Sequence, residues 1–254
     1  MGKNNIVLIG MPGCGKSTVG VLLAKRIRKK FVDTDLFIQE QEERLLCEII
    51  EEDGLERFKE IENEGDVFIP RAFGSGYANA VAARLLLAHP EKNLRMVNRG
   101  ISGHRVVDLY ARWKIDALNL KPDIISILIG VNDVWHEFSR QNGVEPERFE
   151  QIYDMLLDWT LKVLPNVKIV IGQPFCLKSE VVSDEFYEQV QILGGISERI
   201  ANKYGAAFIP YQKLFNEAAA KRENTYYLID GVHPALAGVE LMAKALTPEI
   251  EKFL

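Results

Sequence analysis

The chain has 254 residues, of which 47% are hydrophobic and 26% charged, with a formal net charge of −5. That composition excludes a disordered chain and weighs against a nucleic-acid partner. Its apolar runs fall short of the roughly 18 residues a membrane span needs, and the polar start Met1–Asn5 predicts no signal peptide. The length fits one large α/β domain or two small ones.

In chain order, the short apolar runs Ile6–Ile9, Phe31-Val32, Leu94–Val97, Ile124–Ile129, Val167–Ile171 and Ala206–Ile209 read as strands. They are nearly continuous rather than alternating, as in parallel strands covered on both faces. Helices are expected between them: Thr18–Arg28, an acidic helical stretch over 39–64, Tyr77–Ala88, and one whose face is Phe149, Ile152, Tyr153, Leu156, Thr160 and Val163. A further helix carries Phe186, Val190, Leu193 and Ile200, with Gly194-Gly195 weakening its middle. Alternation of strand and helix predicts a three-layer α/β/α fold around a single, mostly parallel sheet of flavodoxin-like type. Cys14, Cys47 and Cys176 form neither a disulfide framework nor a metal-type pair, which predicts a reducing, cytoplasmic setting.

Gly10-Met11-Pro12-Gly13-Cys14-Gly15-Lys16-Ser17 fits G-x-x-x-x-G-K-S between a strand and a helix. Gly10, Gly13 and Gly15 let backbone N–H groups turn around a phosphate, with Lys16, Ser17 and Thr18 at the helix start adding charge and hydroxyls. Residues 3 to about 64 resemble shikimate kinase, through this loop, Phe31-Val32-Asp33-Thr34-Asp35 and Phe58-Lys59-Glu60-Ile61-Glu62. The resemblance implies Mg-ATP or phosphate at the loop, Mg²⁺ near Ser17 and Asp33, and substrate hydroxyls at Asp35. Lys59 stands where that family has an Arg, and the family's lid and later substrate arginines do not follow.

From about Gly74 onward three further blocks appear in order: Val97-Asn98-Arg99-Gly100-Ile101-Ser102-Gly103, Gly130-Val131-Asn132-Asp133 and Asp230-Gly231-Val232-His233-Pro234. Together they resemble the SGNH/GDSL family of esterases. That resemblance implies ester hydrolysis, with the Gly103 N–H and the Asn132 side chain as oxyanion donors, His233 as general base and Asp230 orienting its ring. No cofactor is needed for such chemistry. Trp135 and His136 stand close enough to Asn132 to line a pocket, whereas His89 and His104 read as structural or solvated, and Asp108, Arg112 and Trp113 as packing and helix-surface residues.

The family's Gly-Asp-Ser block is missing. Gly65-Asp66-Val67 resembles a remnant without a nucleophilic atom, and aligning first strands puts Pro12 in the serine's place. Ser17 is then the candidate nucleophile, with Ser75 a looser one. The two resemblances meet near residue 65, each incomplete where the other begins. One composite domain over 1–254 is therefore expected, a kinase-like segment 1–64 and a hydrolase-like segment 65–254. Its sheet would run Phe31-Val32, Leu94–Val97, Ile6–Ile9, Ile124–Ile129, Val167–Ile171, Ala206–Ile209. The leading functional expectation is a hydrolase scaffold for a small acyl ester. A phosphate- or nucleotide-binding protein and a catalytically inactive chimera are the alternatives. The expected partner is a small ester or phosphate-bearing ligand, with the oligomeric state left open.

Overall fold

The computed structural model describes residues 76–254. All described residues belong to one compact unit. It begins with α1 (Tyr77–Ala88) and a 3₁₀ turn, Pro90–Lys92, followed by α2 (Val106–Asp116). Strand β1 (Ile124–Leu128), helices α3 (Val131–Arg140) and α4 (Pro146–Val163), and strand β2 (Lys168–Gly172) come next. The chain closes with α5 (Asp184–Tyr204), β3 (Ala207–Ile209), α6 (Tyr211–Ala219), the short α7 (Asn224–Tyr227) and α8 (Leu236–Glu251).

The three described strands pair in parallel in the order β1-β2-β3. In β1 and β2 the register sets Ile125 beside Ile169 and Ile127 beside Ile171. These four isoleucines share one face and pack with Trp113 of α2, Phe149, Tyr153 and Leu156 of α4, and Phe186, Val190 and Leu193 of α5. Successive strand residues point to opposite faces. Val170 and Ile209 accordingly meet Val81 and Leu85 of α1, Phe215 of α6, and Met242, Leu246 and Ile250 of α8 on the other side. Two apolar layers thus enclose the sheet, which is the three-layer α/β/α class expected from the unbroken apolar runs.

Local signals explain the helix limits. Ser183 accepts the Phe186 N–H at 3.2 Å, Asp184 and Glu185 occupy the first turn of α5, and Gly205 ends the helix in the left-handed region at φ +63°. Gly194 does not break α5. A Cβ there would stand 2.9 Å from Gln173 Nε2, so the glycine admits close approach of the loop after β2. Along α4, Phe149, Tyr153, Leu156 and Thr160 form the buried stripe, while Val163, expected on it, is 49% exposed in the last turn. Thr160 takes the Trp113 Nε1–H at 2.8 Å and donates to the Leu156 carbonyl, which satisfies both buried polar groups.

Leu94–Val97 is not a strand. Leu94 and Met96 are partly buried against the second apolar layer while Arg95 and Val97 are exposed, the alternation of a strand, but no described segment pairs with it. A strand exists only where a neighbour accepts and donates its ladder bonds. The neighbours expected for it, Phe31-Val32 and Ile6–Ile9, lie outside the described residues, and so does the composite sheet with its single domain. Among the described residues no helix is long and apolar enough to cross a membrane.

Candidate active site

The loop between α7 and α8 carries Asp230, Gly231 and His233. Asp230 Oδ1 accepts the backbone N–H groups of Val232 and His233, at 3.0 and 2.8 Å, and Oδ2 lies 2.7 Å from His233 Nδ1. One carboxylate therefore shapes the turn and holds the imidazole. Partial burial would raise its pKa, but the bonds from the His233 backbone and ring and from the Val232 N–H outweigh that and lower it. Asp230 is thus an anion wherever the protein is folded near neutrality. The His233 side chain is 64% exposed, and Nε2 makes no hydrogen bond to a described residue.

The loop following β2 braces this turn from below. Leu177 N–H donates to the Gly231 carbonyl at 2.8 Å, and Ser179 Oγ donates to the Asp230 carbonyl at 2.6 Å. Gly231 sits at φ +90°. Trp135 of α3 meets the His233 ring near edge-on, with centroids 6.0 Å apart, and also meets Phe186 at 5.8 Å.

The second set of residues lies where β1 hands over to α3 and where the chain enters α2. Asn132, in the first turn of α3, donates from Nδ2 to the His104 carbonyl at 3.1 Å. Gly103 precedes it in a turn at φ +80°, facing His136, whose Nε2 would be 3.8 Å from a Cβ at that position. The Gly103 N–H carries no hydrogen bond to a described residue, and Asn132 has a second amide hydrogen to give. Gly103 and Asn132 are therefore joined through His104, and Asn132 and His233 through Trp135 on α3. The loops that follow β1 and β2 both contribute, which puts the site at the carboxyl ends of the strands, where open α/β sheets bind ligands.

Arg105 and Asp108 are more than helix-surface residues. Arg105 donates through its backbone N–H and Nε, both at 2.9 Å, and through Nη2 at 3.1 Å to the Asp108 carboxylate, capping α2, while Nη1 reaches the Asn142 carbonyl at 2.7 Å. Asp133, the last residue of the Gly130–Asp133 block, is fully buried. Trp113 is packing, as expected, and His89 pairs with Glu251 at 3.2 Å. Ser102 is exposed and makes no bond to His233. Among the described residues no group of three His, Cys, Asp or Glu side chains could hold a metal. The loop residues Gly10, Gly13, Gly15, Lys16, Ser17 and Thr18, together with Asp33, Asp35 and Ser75, lie outside the described residues.

The parallel sheet lies between two helical layers, with an Asp–His pair on the loop between α7 and α8 and a Gly/Asn pair on the turn before α2 and at the start of α3. The GDSL-like lipase/acylhydrolase family matches residues 66–241, and shikimate kinase matches residues 12–65. The chain is 34% identical over 181 residues to an acetylxylan esterase of Geobacillus stearothermophilus, covering 70% of this chain and 82% of that one. The chain belongs to the GDSL-like lipase/acylhydrolase family.

Solved structures agree. The Geobacillus stearothermophilus acetylxylan esterase Axe2 superposes with a TM-score of 0.66 at 32% identity, over 73% of this chain and 84% of that one. LAE5, an α/β hydrolase from the metagenome of Lake Arreo, gives 0.64 at 31% identity, over 71% and 84%. The first segment is 47% identical to a Clostridium botulinum shikimate kinase over 62 residues, 24% of this chain and 37% of the kinase, so the chain spans just over a third of that relative.

Proposed function

We propose that the chain hydrolyses a small acyl ester, such as an acetylated sugar or short-chain ester, with His233 as general base. The observation that carries this reading is the 2.7 Å contact between Asp230 and the Nδ1 edge of an imidazole whose Nε2 edge is open. Catalytic mutants of the related esterase Axe2 replace a serine in one case and a histidine in another by alanine, which supports a histidine in this role. The sequence has no Gly-Asp-Ser block, and no described hydroxyl bonds to His233.

In this reading water serves as the nucleophile, with Ser17 and Ser75, outside the described residues, as the alternatives the sequence offers. His233 Nε2 takes its proton as the oxygen attacks the acyl carbon. The carbonyl oxygen becomes an oxyanion held by the Gly103 N–H and the second Asn132 Nδ2 hydrogen. Collapse breaks the C–O bond, and the imidazolium returns the proton to the leaving alcohol. Asp230 stabilises that imidazolium throughout. Oxyanion binding and positioning act beside the general base, which itself supplies about 10²–10⁴-fold. Hydrolysis of p-nitrophenyl acetate should exceed the buffer rate, and His233→Ala should lower it by roughly 100-fold or more. A variant as active as the parent would remove the reading.

The alternative reading, phosphate or nucleotide binding, is supported by the Gly10–Ser17 motif and the kinase match at 12–65. The loop would bind the phosphates of Mg-ATP or a free phosphate, with Ser17 and Asp33 toward the metal and Asp35 toward a hydroxylated substrate. Calorimetry with Mg-ATP should show binding that Lys16→Ala abolishes; heat of equal size in both proteins would overturn it. The free, buried Cys176, whose thiol burial pushes up to about 12, fits a reducing compartment, the cytoplasm.

A further inference from the structure

Asp133 has no part in the chemistry above, yet it is fully buried and one of its oxygens is unpartnered. Oδ1 accepts the Val106 N–H at 2.9 Å, while Oδ2 is buried without a hydrogen bond. Its neighbour Asn132 holds the His104 carbonyl at 3.1 Å. Two adjacent residues of α3 thus grip the same short turn, at His104 and at Val106, directly after Gly103. The Asp133 carbonyl also takes the Val144 N–H at 3.2 Å, so one residue joins the turn before α2, the start of α3 and the connection to α4.

We propose that Asp133 is a positioning residue that clamps the Gly103–Val106 turn to α3 and so sets the spacing of the two oxyanion donors. This rests on the ester-hydrolysis reading for its consequence, not for its geometry. Asp133 touches no substrate and acts only through Val106.

The clamp works in its neutral form. Burial raises the Asp133 pKa to about 7, against the pull of the Val106 N–H, its own backbone N–H and Arg105, and with help from Asp108. The other titratable and charged groups facing the turn are Asp108, Arg105, His104, His136, Glu137 and Arg140. The bond from Arg105 is the largest influence on Asp108 and holds it low. Burial, then Arg105 and Arg140, lower His136. His104 stands on the turn itself, and Glu137 of α3 is occupied by the Gly143 N–H at 2.9 Å. Ionisation of Asp133 puts an uncompensated charge on Oδ2 in an enclosed site, which draws in water and loosens the grip.

The sign of the stability effect follows. A carboxyl that keeps its proton when folded, where the unfolded chain has lost it, makes stability fall as pH rises from about 4 to about 7 and level off above. Oxyanion donors lose their value with small displacements, so kcat should fall through the same upper limb while KM holds.

The test compares the parent with Asp133→Asn and Asp133→Leu. The asparagine keeps an acceptor for Val106 without a charge; the leucine removes it. With p-nitrophenyl acetate, Asp133→Leu should lose roughly ten- to a hundredfold in kcat with KM little changed. Asp133→Asn should restore kcat to within a few-fold and stay flat above neutrality, where the parent declines. A folded leucine variant with parental kcat, or an asparagine variant with the parental decline, overturns the proposal. Amide NMR reads the clamp without turnover. In the parent, the Gly103 and Val106 amides and the Asn132 side-chain amide should shift together near neutrality and stand still in Asp133→Asn. If they stand still in the parent, the clamp is refuted even where the ester is hydrolysed. If they shift while no ester is turned over, the clamp stands and the hydrolase reading falls. Should the leucine variant fail to fold, the asparagine pH profile and these resonances decide the matter.

Discussion

An alanine at Gly231 is expected to abolish ester turnover and lower the melting midpoint of the protein by roughly 10 °C. Gly231 lies between the orienting carboxylate and the base, at φ +90°. An L-residue there pays a left-handed penalty of about 1–2 kcal/mol. The added Cβ would also overlap the Leu177 carbonyl oxygen and lie 2.6 Å from Ser179 Oγ. Neither neighbour can retreat freely. Leu177 gives its N–H to the Gly231 carbonyl, and Ser179 Oγ donates to Asp230 while receiving the Val181 and Val182 N–H groups at 3.3 and 3.2 Å. Overpacking of this kind costs a further 1–3 kcal/mol or so. The loop relieves the overlap by moving, and it carries Asp230 and His233 with it. Thermal melting and p-nitrophenyl acetate hydrolysis read the two effects together. A variant with parental melting and parental turnover would show that the loop after β2 does not brace the site.

Asn in place of Asp230 is expected to lower turnover by roughly 100-fold, as removal of the base itself would, with little change in melting. The Asn oxygen can still accept the Val232 and His233 N–H groups, so the turn survives. Its NH₂ then faces His233 Nδ1, 2.7 Å away in the parent, and can only donate. The ring must present Nδ1 as an acceptor and carry its proton on Nε2, which leaves no lone pair to take a proton from water. The imidazolium also loses its counter-charge. Parental turnover in this variant would mean that Asp230 builds the turn and does not orient the base.

Much of the fold was legible because both faces of the sheet are covered. Ile125, Ile127, Ile169 and Ile171 serve one apolar layer and Val170 and Ile209 the other, so the runs read as unbroken. Tyr77–Ala88 was placed to the residue. Leu94–Val97 failed because strand pairing is a property of two segments, and apolar content in one of them does not supply the other. The Asp230–His233 contact was legible through the resemblance of the Asp230–Pro234 block to the esterase family. The edge-on Trp135 contact was only half legible: sequence put Trp135 near Asn132, but not the packing of α3 against the loop after α7. Asp133 was the largest miss. A polar residue in the first turn of a helix normally faces water and caps its own helix, and nothing local shows that this one is enclosed and caps α2 instead. The Arg105–Asp108 cap had a signal, an acid three residues after the residue that starts the helix, with an arginine in an uncommon place for it.

In the proposed reaction His233 acts as a base toward water rather than toward a side-chain hydroxyl. A stopped-flow progress curve for p-nitrophenyl acetate, recorded for the parent and for His233→Ala, tests that most directly. The predicted curve is linear from the first turnover in the parent, with its slope lost in the variant. A stoichiometric burst leaving an acetyl group on a serine such as Ser17, or equal slopes in the two proteins, would contradict it.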